Sequence, residues 1–519
     1  MSNISFRTQA PTSIPCIVDR TYFPHLFLIP AGMIITILAF LRKRRSFKRE
    51  VWGGRPGVVV PIDFLGIDND RIAIMCVFGA ATGSILTLIT DKAVGRNAWE
   101  TAFLGIGTAL EIAFIYYPYF GCLASYHRII GALMGLPYAV TYITVALTAD
   151  LQKCNDNTTW EQYVVTMLPK IPTLLCQLFI LGKFVVVLYE EIKDYGIFGV
   201  RLFSHNDDHA SQHVKLIRPW LRHHVKDLIK AKSPCERSRI ECLLRKIYNP
   251  EKNFKFSTQT ISVVMICSIL LYNISIELVF TASVFLDDVG KASGELADVL
   301  RGAFGSMIAA TILAVIFCVI SFVRFMENHK NNMLRMFKGD KSFIPEKISA
   351  SQFMIGKGLR YHSYQIGYFL WGYILLLFLF LVICCGFWAL ISYKVVQDYL
   401  VKFVKGGGVV AGVAMFAGLS LPIASLTIFR DYSYSKDVIS INNRNAYLVF
   451  SYFWFFVGLP MGFVSAISRI LKAMAVGALM LPRIDHSVMP DGFQQIDQGF
   501  NAYICYLHVQ TAYRNPILR

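Results

Sequence analysis

Apolar stretches of membrane-spanning length recur along the chain, separated by shorter polar segments. As a helix, about 20 residues cross the ~30 Å of hydrocarbon in a bilayer. Such segments must be helical, because lipid offers their backbone groups no other hydrogen-bond partners. The pattern predicts ten segments, at residues 22–41, 72–90, 101–120, 128–149, 166–189, 258–285, 302–324, 363–393, 407–429 and 446–468. We therefore expect an all-α polytopic membrane protein.

The charges between these segments predict which side each loop occupies. Seven Lys or Arg residues and one acid lie between 42 and 55, directly after the first segment. Basic loops stay in the cytoplasm, so residues 1–21 are expected outside, as an extracellular arm. Residues 201–257 carry 13 Lys or Arg against 6 acids, and 324–360 carry 8 against 3, which agrees with a cytoplasmic position. The glycosylation sequons at Asn3 and Asn157 both fall on the predicted outer side.

Composition adds to this interpretation. Only 16% of the 519 residues are charged, against about 25% in soluble proteins. The net charge of +17 follows from the basic cytoplasmic loops, and no nucleic-acid partner is expected. No nucleophile elbow, phosphate-binding loop or zinc-protease motif occurs, so we expect neither an enzyme nor a cofactor. The histidines at 205, 209 and 213 are interpreted as part of a solvated loop rather than as a metal site.

The number of crossings raises a parity problem. Ten crossings would leave the C-terminus outside, yet the tenth segment ends in Arg469 and Lys472, which favour the cytoplasm. Its centre holds Gly458, Pro460 and Gly462, where a proline and two glycines permit a sharp reversal. We therefore predict nine transmembrane helices plus one re-entrant hairpin, with a Pro-kinked spanning helix as the alternative.

This topology divides the chain into five parts. They are an extracellular arm (1–21), a first membrane region of five helices (22–190), a basic cytoplasmic loop (191–257), a second membrane region with helices six to nine (258–430), and the hairpin with a cytoplasmic C-terminal segment (431–519).

Short sequences along the chain resemble one known family. Taken in order and with their spacing, they are similar to the retinol-binding-protein receptor family, a resemblance that covers nearly the whole chain. The matching sequences lie at residues 54–65, 117–118, 127, 248–250, 328–332, 364–365, 442–444, 485–490 and 497–503.

The resemblance implies a function and a set of partners. Members of this family are dimeric plasma-membrane receptors that dock an extracellular retinol-binding protein. They pass retinol through a lipophilic cleft open to the membrane lipid and associate with calmodulin inside the cell. The outer loop between helices six and seven (286–301) would then be the carrier-docking loop, with Asp287, Asp288, Gly290 and Gly294.

Aromatic residues in segments eight and ten suggest where a lipophilic path runs. Apolar walls with few polar contacts suit a ligand that must be released again. The predicted lining is Tyr364, Gln365, Phe369, Trp371, Tyr452, Trp454, Phe456, Gly458, Pro460 and Gly462. The alternative is that these aromatics face lipid or a dimer interface.

A basic amphipathic helix is predicted in the large cytoplasmic loop. Its apolar face holds Leu216, Trp220, Leu221, Val225 and Leu228. Such a helix suits calmodulin or the inner leaflet of the membrane.

Three ionisable residues fall within predicted spans: Glu111, Lys183 and Glu277. They could form an ion pathway, which would make the protein an ion-coupled small-solute transporter. They could equally form Glu–Lys pairs that hold the bundle together, which we favour, because no inverted repeat is detected. Retinol is neutral and moves down its gradient without an ion site.

A disulfide is expected between Cys16 and Cys154. They are the only cysteines outside the apolar segments on the predicted outer, oxidising face.

We expect Asn157 to carry an N-linked glycan, because it lies on the outer side between helices four and five. Enzymatic deglycosylation should increase gel mobility less in Asn157→Gln than in the wild type. Equal mobility shifts in the two proteins, or a cytoplasmic location of residues 150–165 in an accessibility assay, would contradict this.

Overall fold

A computed structural model describes residues 23–42, 51–54, 70–90, 98–125, 127–151, 167–195, 254–290, 294–345, 351–406, 412, 415, 419, 423, 444–490 and 492–515. In these ranges the chain is helical and contains no strand. The helices are α1 (Phe23–Leu41), α2 (Arg71–Thr90), α3 (Ala98–Leu123), α4 (Arg128–Leu151), α5 (Ile171–Tyr195), α6 (Thr258–Gly290), α7 (Glu295–Phe337), α8 (Ser351–Ser392), α9 (Lys394–Gly406), α10 (Arg444–Met480) and α11 (Gln498–Arg514).

The predicted spans are confirmed as helices for the first eight segments, which correspond to α1–α8. Within the described residues, 7 stretches are long and apolar enough to cross a membrane. They lie in α1 and α3–α8, and α2 holds a shorter apolar helix, Arg71–Leu86. The protein is thus an all-α polytopic membrane protein. Of the ninth segment, 407–429, only four positions are described, and all four are helical.

The predicted re-entrant hairpin is wrong at the position proposed for it. Helix α10 runs without a break from Arg444 to Met480, through Gly458 and Pro460. A proline removes only one backbone hydrogen bond, and a helix in lipid is held by the remaining bonds, so it continues. At 37 residues it is about 55 Å long, and it is not among the 7 stretches of the described residues that are long and apolar enough to cross a membrane.

The predicted outer loop 286–301 is also much shorter than expected. Helix α6 continues to Gly290 and α7 begins at Glu295, so most residues that were predicted as loop belong to one of these two helices. Gly294, which directly precedes α7, has a φ of 137°, a conformation that only glycine adopts without strain.

By its contacts the chain forms two compact units. The first holds Met1–Thr281, Cys318–Leu370 and Arg483–Arg519, and the second holds Ala282–Phe317 and Trp371–Pro482. The five topological parts predicted from the sequence are divisions of another kind and stay predictions.

An aromatic cluster forms the centre of the bundle α1–α5 in the first unit. Phe27, Tyr138 and Tyr142 are buried there, with Tyr116 and Tyr119 beside them. Three of the four tyrosine hydroxyls are satisfied inside the bundle: Tyr138 donates to the carbonyl of Ile115 at 2.7 Å, and the Tyr116 and Tyr142 oxygens lie 3.1 Å apart. Burying these three tyrosines costs little, since each of their hydroxyls has a partner.

Glycines allow the helices of this bundle to approach closely. A Cβ atom on Gly131 would lie 2.3 Å from the Cys122 carbonyl oxygen, and one on Gly135 would lie 2.6 Å from the Phe184 ring. Small residues at contact positions are how membrane helices pack, because lipid supplies no hydrophobic force between them.

Gly131→Ala should lower the melting temperature of the purified protein, since the new methyl group meets rigid backbone. The expected loss is about 1–3 kcal/mol, typical of overpacking. Gly105→Ala is the matched control, because no atom lies within 4 Å of its Cβ position. That control should be neutral or slightly stabilising, as alanine favours helix. Equal melting temperatures of the two variants would contradict the packing.

Candidate functional site

A cavity of about 820 Å³ lies in the second unit, between the first half of α7 and the second half of α8. Its size falls in the range of small-molecule pockets. The lining residues are Asp298, Arg301, Gly302, Gly305, Ser306 and Ala309 from α7, and Cys384, Phe387, Trp388, Ser392 and Tyr393 from α8 and the residue that follows it.

Polarity changes along this cavity. The two helices run antiparallel, because Gly302 meets Trp388 while Phe317, further along α7, meets the earlier Phe380. The charged pair Asp298 and Arg301 therefore lies at the same end as Ser392 and Tyr393. The opposite end, near Ala309 and Cys384, is apolar. From Asp298 to Ala309 the cavity wall extends about 16 Å along the helix.

Gly302 shapes the wall of the cavity. A Cβ atom there would come within 2.0 Å of the Trp388 indole, so the indole packs directly on the α7 backbone. The Tyr393 ring meets the same indole edge-on, with ring centroids 5.3 Å apart. Two aromatic rings thus form one side of the cavity near its polar end.

The polar end carries one ion pair. Arg301 donates to the Asp298 carboxylate at 3.0 Å, one helical turn away, and both side chains are largely exposed. This geometry suits an elongated lipophile with a single polar end: the apolar part would contact Phe387 and Ala309, and the polar end would lie among Asp298, Arg301 and Ser392.

The lipid-cleft residues predicted from the sequence are distributed over both units. Tyr364, Gln365 and Phe369 belong to the first unit, whereas Trp371, Tyr452 and Gly462 belong to the second. Trp454, Phe456, Gly458 and Pro460 lie on α10, and their side chains are outside the described residues. A cleft shared by all of them stays a prediction.

The described residues of the predicted cleft differ in their burial, and Gln365 is the most buried of them. It is fully buried, and neither its amide oxygen nor its amide nitrogen has a hydrogen-bond partner in the described part of the chain. Trp371 and Tyr452, in contrast, are 64% and 70% exposed.

The docking-loop residues lie at the ends of two helices. Asp287, Asp288 and Gly290 fall in the last turn of α6, and Gly294 directly precedes α7. The same predicted loop contributes Asp298 and Arg301 to the polar end of the cavity. Part of this segment therefore forms a wall of the cavity. The interpretation of residues 286–301 as a single outer loop did not predict this.

The ionisable residues within the spans are paired differently from our expectation of Glu–Lys pairs. His25 Nδ1 of α1 lies 2.5 Å from the Glu111 carboxylate of α3. Lys183 of α5 lies 2.8 Å from Asp70, just before α2. Glu277 is exposed and has no ion-pair partner among the described residues. Each of the two pairs joins neighbouring helices of the first unit.

Segments far apart in sequence meet at a junction in the first unit, built from the end of α7, the first half of α8, the segment 483–497 and α11. Asn328 donates to Asp485 at 2.9 Å, and Asn332 donates to the Tyr503 hydroxyl at 3.1 Å. The Asp497 carboxylate caps α11 by accepting from the Phe500 amide. The sequences that carry the family resemblance therefore hold the C-terminal helix in place.

Charge at this junction is compensated inside the protein. Arg483 makes two hydrogen bonds to the fully buried Asp485 carboxylate, the shorter at 2.7 Å. Lys330, 1% exposed, is paired with Glu327 at 2.7 Å. Burial raises the pKa of Tyr503, and the nearby Asp485 charge raises it further, so the hydroxyl stays neutral and accepts the Asn332 hydrogen bond.

Several predicted features lie outside the described residues. They are the amphipathic-helix residues Leu216, Trp220, Leu221, Val225 and Leu228, the sequons Asn3 and Asn157, and the cysteines Cys16 and Cys154.

Comparison with known proteins identifies the family. The family model described as retinol binding protein receptor matches residues 15–302 and 296–519. The chain belongs to the retinol binding protein receptor family. The mouse stimulated by retinoic acid gene 6 protein-like is 25% identical over 96% of this chain and 84% of its own length. The receptor for retinol uptake STRA6 of human is 20% identical over 94% of the chain and 78% of its own length.

In this member of the retinol binding protein receptor family, the sequence interpretation missed the cavity between α7 and α8. Residues Gly302, Gly305, Ser306 and Ala309 recur at the spacing of one helix face and leave room for the cavity. That spacing of small residues was visible in the sequence. Their combination with Trp388 of another helix was not.

Asp485→Ala should strongly destabilise the protein, because it leaves the largely buried Arg483 without its carboxylate and removes the Asn328 contact. Breaking such a pair costs about 3–5 kcal/mol, measurable as a large fall in melting temperature. Asp340→Ala, which removes an exposed partner of Arg335, is the control and should change the melting temperature little. Similar losses in both variants would contradict the structural role of the junction.

Proposed function

We propose that this protein mediates passage of retinol across the plasma membrane and that the cavity between α7 and α8 accommodates the retinol molecule. The observation that carries the proposal is the change from a charged to an apolar lining along about 16 Å of helix. Retinol has a long apolar body with one hydroxyl, which matches that change. Family membership supports the choice of ligand, since the human relative is named as a receptor for retinol uptake.

The proposal includes partners and an orientation. The N-terminus lies outside the cell and the C-terminus in the cytoplasm, so the polar end of the cavity faces outward. An extracellular retinol-binding protein would then dock at the ends of α6 and α7, next to Asp298 and Arg301. Calmodulin would bind the basic segment around Trp220, and two copies of the chain would form a homodimer in the membrane lipid. The protein acts as a receptor and transporter and not as an enzyme.

Transport without ion coupling is part of the proposal. Glu111 and Lys183, which could have formed an ion pathway, are each paired with a residue of a neighbouring segment. The remaining carboxylate, Glu277, is a single group and not a chain of sites. The alternative, an ion-coupled small-solute transporter, requires such a chain across the membrane. Uptake of labelled retinol by expressing cells should therefore be unchanged when sodium and proton gradients are collapsed.

Gly305→Trp should reduce retinol uptake several-fold, because the indole would occupy the cavity. Gly305 is exposed and has no atom within 4 Å of its Cβ position, so the substitution should not disturb folding. Gly386→Trp is the matched control. It lies on α8 among the cavity residues without lining the cavity, and its Cβ position is equally open.

Uptake by Gly305→Trp and Gly386→Trp is compared only if the surface expression of each variant equals that of the wild type. Gly462→Trp, on α10, tests the path predicted from the aromatic pattern of the sequence. Full uptake in Gly305→Trp together with a loss in Gly462→Trp would place the path along α10 and overturn the cavity assignment. Retinol uptake no higher than background in well-expressing wild-type cells would overturn retinol itself as the ligand.

A further inference from the structure

Helix α9 (Lys394–Gly406) is amphipathic and follows the end of a membrane-spanning helix. On one face lie Val395, Tyr399 and Leu400, which are 64%, 68% and 47% exposed. On the other face lie Lys394, Asp398, Lys402 and Lys405, with Val401 as the apolar exception. No described part of the chain covers the apolar face.

The position of α9 in the chain limits what can cover this face. A single residue, Tyr393, separates it from α8, and the apolar segment 407–429 follows it at once. Both ends of the helix are thus attached to segments of membrane character. With 13 residues it is about 20 Å long, which is too short to cross ~30 Å of hydrocarbon.

Hydrogen bonds fix α9 to the end of α8. The Gln397 side-chain amide donates to the Leu390 carbonyl at 2.9 Å, which satisfies one of the acceptors left open at a helix end. The Gln397 backbone amide donates to the Tyr393 carbonyl at 3.2 Å. The angle between the two helices is therefore set by bonds at the turn, and α9 has little freedom to fold back.

We propose that α9 is a membrane-surface helix whose Val395, Tyr399 and Leu400 face enters the boundary between headgroups and acyl chains, with the lysines at the phospholipid phosphates. Three lysines against one acid give the polar face the charge that phosphates attract. Lys402 Nζ lies 5.7 Å from the Tyr399 ring centroid. An aromatic ring beside a cation is the pairing expected at a membrane–water interface.

This contact would form whether or not the chain carries retinol. The membrane contact of α9 would also affect the cavity. Ser392 and Tyr393 belong both to the polar end of the cavity and to the turn that holds α9. A surface-bound α9 would keep that polar end at the depth of the headgroups.

The test uses the full-length protein in phosphatidylcholine nanodiscs with the photoreactive residue p-benzoylphenylalanine at position 399 or, as the matched control, at position 398. Both side chains are exposed on α9, so neither replacement should disturb the fold. After irradiation, mass spectrometry of the α9 peptide should show a several-fold excess of phospholipid adducts for position 399 over position 398. Equal adducts at both positions would overturn the proposal. So would cross-links from position 399 to a second copy of the chain or to another segment of the same chain.

Discussion

The structure depends on one constraint: in hydrocarbon, every backbone polar group must find its partner within its own helix. Once that is satisfied, apolar side chains gain nothing by moving from lipid into protein. This is why large residues such as Leu26 and Phe103 stay 67% and 71% exposed. Helices are instead held by close packing and by polar contacts between them. Gly131 allows the first kind of contact, and the Lys183–Asp70 pair provides the second.

The same constraint explains the polar junction around α11. A buried carboxylate such as Asp485 is stable only when cations and donors surround it, and here Arg483 and Asn328 do so. Once assembled, such a network fixes the position of each segment that contributes to it. Several of the sequences that carry the family resemblance, at 328–332, 485–490 and 497–503, lie in these segments, where they help to position α11.

Sequence alone predicted the positions of the spans but not which residues of different spans contact one another. Hydropathy located α1–α8 because each needs about 20 apolar residues. It failed at Pro460, since the effect of one missing hydrogen bond depends on what surrounds the helix. The sequence also did not predict the partners of Glu111 and Lys183, which are His25 and Asp70. A hydropathy profile locates apolar segments and carries no information on which polar residues pair. The cavity needs residues from two helices and could not be read from either helix alone.

In the proposed function, a conduit for a lipophile must bind its ligand weakly enough to release it, and the composition of the cavity would meet this requirement. Between Ala309 and Phe387 the walls offer dispersion contacts but few hydrogen-bond donors. The charged pair at the opposite end is exposed, so water would compete with a ligand hydroxyl for Arg301 and Asp298, and each hydrogen bond gained there would replace one to water. Selectivity would then come from length and shape, set by Trp388 resting on Gly302. A tightly bonded polar site such as the Asp485 network would retain its ligand, and that network is occupied by the protein's own residues.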